Sequence, residues 1–596
     1  MQLLKRLRPY YLEIIFLSFF LSLYLICAPL TVQSGDTGEL VTNSYHLRVS
    51  HPPGYPLYNL LFHLPVRYLN FGNPFFAASV TSLFFVIGVL ALLIFAFRSL
   101  DILLLLGVLA SSTLFWKMAV LPDVFSLHLL FLGWISLMFI KPKLLHSLVS
   151  VFLCALSVTN HHTILFVLPL FIYAALYSGY SPGRILGFSL VSGLLSFSLY
   201  LILLYYHPSE YGSWGDLQSW RDVFHHFLRT DYGTFSLAKE SDNSVNWPWF
   251  FFQRFFSDLW SVLGCLLFIL YKYRSRIYVL KTRLLIWGIC FISYFLTFMT
   301  LAKVSLDQEG ELIFERFLLQ PSFLIVILLL MLIHHFKIRL PRFLKLVFVI
   351  NLGLNLLMNF PVLYFRKSTS LHDYVTNIFR AVPYGQALYI HGDTLGFSSY
   401  YLHSALKFRP DVKLIQASSD KAWSRRKLTT AYPELFYREY RSLFRDFNFE
   451  KYRLFTNYYL QRLPQGFGVV ARGTVYEIRK INKEEPILVF ACPLNYDRQR
   501  HLSIKDFEVF DIAKFYDQSY GHCHFQQAIN LILQDRYDDA LTAIGHATRL
   551  SPFNAKYLER KCFLLKKINS SEERICDQQL ENLLLKTNSQ YYLEKF

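Results

Sequence analysis

The sequence predicts a polytopic α-helical membrane protein of about 11 spans, followed by a C-terminal soluble α/β domain and TPR-like helical hairpins. Three observations carry this: an apolar composition, basic loops confined to one side, and a change of pattern after residue 365. Of 596 residues, 54% are hydrophobic, only 17% are charged and 57 are Phe. Globular proteins average about 25% charged residues. A soluble chain this apolar would lack the polar surface to dissolve it, so most of it faces a lipid bilayer. A net charge of +18 would suggest nucleic acid in a soluble protein. In a membrane protein it reflects basic cytoplasmic loops, and no nucleic-acid partner is expected.

The chain opens with Lys5, Arg6 and Arg8 before an apolar run from Ile14 to Pro29. A basic flank and hydrophobic stretch also describe a signal peptide. No small-x-small cleavage site follows, so the run reads as a retained first helix. Ten more apolar runs of spanning or near-spanning length lie near 75–97, 102–115, 124–140, 145–159, 163–178, 186–206, 258–270, 284–302, 317–333 and 346–364. Those at 102–115, 145–159 and 163–178 are short, which leaves re-entrant or sheltered segments open. With a cytoplasmic N-terminus, the inner loops carry Arg98, Lys141, Lys143, Arg184, Lys272, Arg274, Arg276, Lys281, Arg283, Lys337, Arg339, Arg342 and Lys345, with Asp101 as their only acid. The opposite loops hold Asp36, Glu39, Asp123, Glu210, Asp216, Asp222, Asp231, Asp307, Glu309, Glu311 and Glu315. The Lys/Arg bias sets the topology and places everything after about residue 365 outside.

Beyond that point Gln386–His391, Val412–Gln416 and Tyr452–Thr456 read as strands between helical stretches. After Tyr516, Ala528, Ala540, Ala547 and Pro552 follow the small-residue and proline spacing of a tetratricopeptide repeat, and 554–590 supplies a further helix pair. An ordinary helical hairpin fits the same spacing. The expected domains are 1–365, 366–480 and 516–596. Eight Cys are scattered without a Cys-x-x-Cys, so zinc ribbons and thioredoxin-type sites are unsupported. His522-Cys523-His524 is three adjacent residues, which rarely chelate alone, and no metal site is expected.

The densest chemical signal is Ser34-Gly35-Asp36-Thr37-Gly38-Glu39-Leu40, where the chain leaves the first span. On a helix, Asp36, Glu39, Asn43 and His46 share one polar face. Asp36-x-x-Glu39 is equally a capping-box-like start, and one carboxylate can both cap and face a substrate. His51-Pro52-Pro53-Gly54-Tyr55-Pro56 cannot continue a helix and makes a stiff turn between two short ones.

Residues 34–58 resemble the first-loop signature of the transmembrane protein O-mannosyltransferases, a family of the GT-C class of multi-spanning glycosyltransferases. Phe115-Trp116-Lys117-Met118-Ala119, with Asp123-Val124-Phe125 and Leu127-His128, resembles its aromatic loop, although Asp123 stands where Glu is expected. Thr159-Asn160-His161-His162-Thr163 resembles its Asn-His-His motif, and Trp214-Gly215-Asp216 with Arg229 and Tyr232-Gly233 its large-loop motif. Glu315-Arg316-Phe317 and Arg409-Pro410-Asp411-Val412 follow in the same order. The resemblance implies a GT-C-like bundle that moves a sugar, mannose in the family, from a polyprenyl-phosphate donor to a hydroxyl acceptor. The resemblance implies transfer on the outer side, and the expected acceptor is a protein Ser/Thr, a glycan or a lipid. It implies no cofactor beyond the lipid-linked sugar, which is a co-substrate.

The chemistry of that class fixes candidate roles. A hydroxyl needs a carboxylate to take its proton as it attacks, and the oxocarbenium-like sugar is stabilised by negative charge. The departing lipid phosphate must be met by cations. Asp36 is the candidate base, with Glu39 as its orienting partner or an acceptor contact. Arg316 is the leading phosphate clamp, and Arg229, His161 and His162 are further candidates. His51, Tyr55, Trp214 and Asp216 are candidates to hold sugar or acceptor. Arg316 can instead snorkel to headgroups and Trp214 can belong to an interfacial belt. The outer domains would hold the acceptor, cap the site or mediate oligomer contacts. The competing class is a transporter or flippase of lipid-linked saccharides. Such proteins bury ionisable groups mid-span, whereas these spans are nearly free of them apart from Glu13. A scaffold displaying its repeats would leave the outer motifs without purpose. Compact loops incline the location to a bacterial inner membrane, or the endoplasmic reticulum in a eukaryote.

Overall fold

The computed structural model describes residues 10–69, 72–144, 147–232, 247–301, 314–416, 421–437, 442–457, 464–480, 492 and 519–587. Lys5, Arg6, Arg8, Gly233, Asp307, Glu309, Glu311 and Tyr516 lie outside the described residues. The chain forms two compact units, one of Met1–Leu30 with Leu40–Lys367 and one of Thr31–Glu39 with Ser368–Phe596.

The first unit is helical. Among the described residues, six helices are long and apolar enough to cross a membrane: Pro74–Phe97, Pro182–Tyr205, Pro248–Lys272, Ile277–Thr297, Arg316–His335 and the helix starting at Arg342. The chain is therefore a multi-pass integral membrane protein. Their starts follow capping chemistry: Asn73 Oδ1 accepts from Phe76 N at 3.0 Å ahead of Pro74, and Ser181 Oγ accepts from Arg184 N at 3.4 Å ahead of Pro182. Tyr11–Cys27, Val124–Ile140, Val149–Asn160 and His162–Tyr177 are shorter apolar helices. Arg316–His335 is the most enclosed of the long ones, 89% buried, and stands at the centre of the bundle.

The expected run at 102–115 is not one continuous helix. Leu100–Ser111 ends, and Thr113–Val120 leaves it at 71°. In lipid the backbone groups freed by such a break must find partners inside the protein. One face of the Arg342–Leu363 helix supplies them through Asn351, Asn355 and Asn359, spaced four residues apart and all buried. Asn359 Nδ2 donates to the Ser111 carbonyl at 2.9 Å, and its Oδ1 accepts from Thr113 Oγ1 at 3.1 Å. Asp258 Oδ2 accepts the Thr113 N–H at 2.8 Å. The same ladder splices a second irregularity. Leu259 has non-helical backbone angles inside Trp247–Lys272. There Asn351 and Asn355 donate to the Asp258 carbonyl at 3.0 and 2.9 Å, and Asn351 Oδ1 accepts from Ser261 N at 3.2 Å. Asp258, only 8% exposed, corrects the expectation that Glu13 is the main ionisable group in the spans. Its carboxylate replaces backbone partners that a broken helix cannot provide. The buried Asp101 is closed differently, by Lys345 at 2.9 Å and the Leu340 N–H at 3.1 Å.

The second unit holds a five-stranded sheet in the order β2-β1-β3-β5-β4, with β1 Ala387–Ile390, β2 Lys413–Gln416, β3 Leu454–Thr456, β4 Phe467–Arg472 and β5 Val475–Lys480. β1 runs parallel to β2 and β3, with Tyr389 opposite Ile415 and Thr456, while β5 is antiparallel to β3 and β4. The last two strands form a hairpin at Gly473 that the sequence reading did not separate. Arg409 donates to the Phe379 and Val382 carbonyls and grips Asp411 through Nε and Nη2, both at 2.8 Å. Arg409-Pro410-Asp411 thus ties a helix end to the sheet. Glu477, on β5, is 3% exposed and is met by Arg453, Arg472 and Arg479 at 2.7, 2.8 and 2.9 Å.

The C-terminal helices His522–Ile532, Tyr537–Leu550, Ala555–Lys567 and Glu573–Thr587 pack in sequence. Ala528, Ala540 and Ala547 are fully buried between the first two with Ile544. Cys523 is bonded to Cys492 and Cys562 to Cys576, whereas Cys27, Cys154, Cys265 and Cys290 are free and buried.

Two predictions follow from these packings. Asn359→Leu removes the side-chain donor to the Ser111 carbonyl and the acceptor of the Thr113 hydroxyl in the bundle, at a cost of about 1–3 kcal/mol. It should lower the unfolding midpoint in detergent, while a substitution at exposed Leu357 should not. In the second unit, burial alone would raise the Glu477 carboxyl, but hydrogen bonds from Arg453 and Arg479 bring it to about 2. A depressed carboxylate stabilises above its unfolded value of 4.5 and loses that contribution as pH falls towards 2. Acid titration should destabilise the second unit over that window, and Glu477→Gln should flatten the dependence.

Candidate active site

The turn at residues 50–56 is built for close approach. Gly54 has φ +95°, and a Cβ there would stand 2.9 Å from a Leu203 methyl and 3.0 Å from the His226 ring. His226 Nε2 lies 3.0 Å from the Ser50 carbonyl, and Asn59 Nδ2 donates to Ser50 Oγ at 3.0 Å and to the Gly54 carbonyl at 3.3 Å. Asn43, on the expected polar face with Asp36, instead donates to the Val49 carbonyl at 3.3 Å. These bonds hold the loop in one shape.

From that turn a row of rings runs through the unit. His51 Nε2 is 3.2 Å from the Tyr55 hydroxyl, and Tyr55 stacks on His161 at 6.0 Å with planes 6° apart. On the other side His51 meets the edge of Trp214 at 6.4 Å. Trp214 stacks on Tyr232 at 6.0 Å and donates to Asp231 Oδ2 at 3.2 Å. Arg229 lies over Tyr232 at 5.6 Å. His161 Nδ1 is 2.7 Å from Thr163 Oγ1, and its ring contacts Phe125, His128 and Phe317. His128 Nε2 closes the row on Gln320 Oε1 at 2.8 Å. Four of the expected residues, His51, Tyr55, His161 and Trp214, therefore form one contiguous set, and Arg229 and Arg316 both lie within electrostatic reach of His161.

Two ion pairs join the aromatic loop to the head of the Arg316–His335 helix. Lys117 Nζ meets Glu315 at 2.6 Å, and Arg316 Nη1 reaches Asp123 at 3.4 Å. Asp123 also accepts the Phe125 N–H at 3.2 Å as the cap of its helix. Lys117 stood inside a quoted motif without a role, and only its partner across 198 residues shows what it does. Arg229 has a buried Nε with no hydrogen-bond partner among the described residues. His162 meets the Tyr200 hydroxyl at 3.1 Å and the Phe227 ring at 4.5 Å, and lies within electrostatic reach of His161 and Arg229. Asp216 is bonded to Gln218 at 2.9 Å.

Asp36 and Glu39 belong to the second unit. The helix Thr37–His46 begins directly after Asp36 and carries Glu39 in its first turn. Asp36 is half-buried and Glu39 is 3% exposed, so the capping and catalytic readings of Asp36 both remain compatible with its position. Among the described residues no group of three or more His, Cys, Asp or Glu is gathered as a metal site.

Residues 36–182 match the family described as "Protein O-mannosyl-transferase TMEM260 N-terminal domain". The family resemblance read from the sequence is thereby borne out. The chain is 26% identical over 451 residues to protein O-mannosyl-transferase TMEM260 of Mus musculus, covering 66% of this chain and 61% of that one. To protein O-mannosyl-transferase tmem260 of Dictyostelium discoideum it is 25% identical over 451 residues, covering 65% and 54%. The chain thus spans a little over half the length of these relatives. Among solved structures, ArnT from Cupriavidus metallidurans in the apo state aligns with a TM-score of 0.45 and 11% identity, over 79% of this chain and 97% of that one.

The ion pairs make the site's own prediction. Lys117→Ala would strand Glu315, 7% exposed at its side chain, and breaking a buried pair costs about 3–5 kcal/mol. Its unfolding midpoint should fall sharply, and Lys117→Met with Glu315→Gln, which removes the stranded charge, should recover most of the loss.

Proposed function

We propose that the chain is a membrane glycosyltransferase of GT-C type that moves mannose from a polyprenyl-phosphate donor to a protein Ser/Thr hydroxyl on the outer side of the membrane. The observation that carries this reading is the assembly of motifs from four separate stretches of sequence around His161. Rings from residues 51–55 and 125–128 meet His161, Trp214 joins through His51, and Arg229 and Arg316 lie within electrostatic reach of it. Stacked aromatic faces suit a sugar, and guanidinium groups suit a phosphate.

In this reading Arg229, with its uncommitted buried N–H, and Arg316 hold the donor phosphate. His161 and Tyr55 face the sugar, with His51 and Trp214 behind them. Asp36 takes the acceptor proton, and Glu39 orients it. His162 and Asp216 keep at most a supporting part. The lipid-linked sugar is the co-substrate, with no further cofactor. Asp258 would be the mark of a transporter, but its carboxylate and the three Asn are committed to splicing helices. We also read the four shorter apolar helices and the bent pair as crossing, which brings the spans to eleven. The domains then run 1–365, 366–480 and 516–596, the last built of TPR-like hairpins that hold the acceptor. The two disulfides after residue 480 against four free cysteines in the bundle favour an oxidising compartment for the C-terminal part. That is a periplasm or the endoplasmic reticulum lumen, with a cytoplasmic N-terminus.

The test is transfer of label from purified polyprenyl-phosphate sugars to Ser/Thr peptides. Asp36→Asn should keep donor binding and lose roughly 10²–10⁴-fold in turnover, because Asn caps a helix about as well as Asp but cannot take a proton. Arg316→Ala should weaken donor binding, and Arg316→Lys should recover only part, having charge without the fork. Full turnover by Asp36→Asn, with Glu39→Gln inactive, would move the base to Glu39.

A further inference from the structure

Thr31–Glu39 groups with Ser368–Phe596, and the contacts responsible are specific. Thr31 Oγ1 donates to the Ser368 carbonyl at 2.6 Å. Gln33 clasps the same residue with both ends of its amide. Its Nε2 donates to the Ser368 carbonyl at 3.2 Å, and its Oε1 accepts from Ser368 Oγ at 2.8 Å. Gln33 is 4% exposed and Ser368 8%, so water does not compete for these bonds.

The tightest contact is at Gly38. A Cβ on that residue would stand 2.5 Å from the Phe397 carbonyl oxygen, 2.7 Å from its carbon and 3.1 Å from Ser398 N. These are backbone atoms of the Asp393–Tyr400 helix, which passes directly into a π-helical turn at Tyr401–Ala405. A side chain there has no rotamer by which to escape. Gly38 has an ordinary helical place in Thr37–His46, so its lack of a side chain serves this approach and not a backbone angle. Asp36 sits between the two anchors, three residues after Gln33 and two before Gly38.

We propose that Gln33 and Gly38 are positioning residues, through which the C-terminal unit fixes the loop that presents Asp36. This rests on reading Asp36 as the base. The soluble part is then a component of the catalytic apparatus as well as a place for the acceptor, since moving helix Asp393–Tyr400 moves the base.

Gly38→Ala and Gln33→Ala in the full-length protein test this, with Gly396→Ala as control, because a Cβ at Gly396 meets nothing within 4 Å. Amide hydrogen exchange over residues 31–39 reports whether the loop is held, whatever the chemistry. Turnover with a polyprenyl-phosphate mannose donor and a Ser/Thr peptide reports whether holding matters. Both variants should accelerate exchange across 31–39. Gly38→Ala should lower kcat by at least tenfold with donor affinity unchanged, and should lower the residual rate of Asp36→Asn no further. Gln33→Ala should lose less, and the control should match the parent. Unchanged exchange in both variants overturns the proposal. So does faster exchange with full kcat while Asp36→Asn is inactive, because the loop would then be held for no catalytic end. Faster exchange with full kcat in both Gly38→Ala and Asp36→Asn removes the base assignment and leaves the holding role standing.

Discussion

In a bilayer, no backbone polar group can be left without a partner inside the protein, and the bundle answers this at two places among the described residues where a helix breaks that pairing. At Ser111–Thr113 and at Leu259 the local ladder fails, and Asn351, Asn355, Asn359 and Asp258 replace it. The break has a consequence in space. It turns Thr113–Val120 by 71°, and that short helix carries Lys117 to Glu315 at the head of the most enclosed span. A straight helix through the same residues could not make that turn. The ladder therefore stands behind the aromatic loop, and the aromatic loop stands behind Asp123 and the rings around His161.

Much of this architecture was legible in the sequence, because hydropathy and loop charge respond to the bilayer directly. The apolar runs at 75–97, 124–140 and 317–333 became helices within a few residues of their limits. The loop motifs were legible through their resemblance to the O-mannosyltransferase signatures, although caps, stiff turns and interfacial belts account for the same residue types. His51, Tyr55, His161 and Trp214 were singled out in those motifs and do meet. What was hidden depended on partners remote in sequence. Asn351, Asn355 and Asn359 look like three polar interruptions of a span until the break at residue 112 is known. Lys117 and Glu315 are 198 positions apart. His162 shares its motif with His161, yet its ring turns to Tyr200 and Phe227, and spacing alone cannot tell neighbouring histidines apart.

Glycine is the other class of residue whose meaning needed coordinates. Gly38 and Gly54 sit in loop motifs where any glycine would be read as flexibility. Each instead marks a close approach, Gly38 against the Phe397 backbone, where a Cβ has no room, and Gly54 against the Leu203 and His226 side chains at a positive φ. A group that must present a proton acceptor or a ring to a substrate gains from being held before the substrate arrives, because little orientation remains to be fixed in the transition state.

The two ion pairs at the head of Arg316–His335 differ in kind, and the difference bears on how an anionic head group would be met. A cation in a low-dielectric site needs a counter-charge while it waits, or its desolvation destabilises the fold. Lys117 and Glu315 satisfy one another closely, at 2.6 Å, and an arriving phosphate would have to break a buried bond to use that lysine. Arg316 reaches Asp123 at only 3.4 Å, longer than the roughly 2.7–2.9 Å of a strong charge-assisted bond. Asp123 meanwhile has a second occupation as the cap on Phe125 N. Its carboxylate serves the cap and the ion pair together. Arg229 stacks on Tyr232, and its Nε has no hydrogen-bond partner among the described residues. The unit thus combines a close ion pair, a longer one that shares its carboxylate with a helix cap, and a guanidinium group stacked on an aromatic ring.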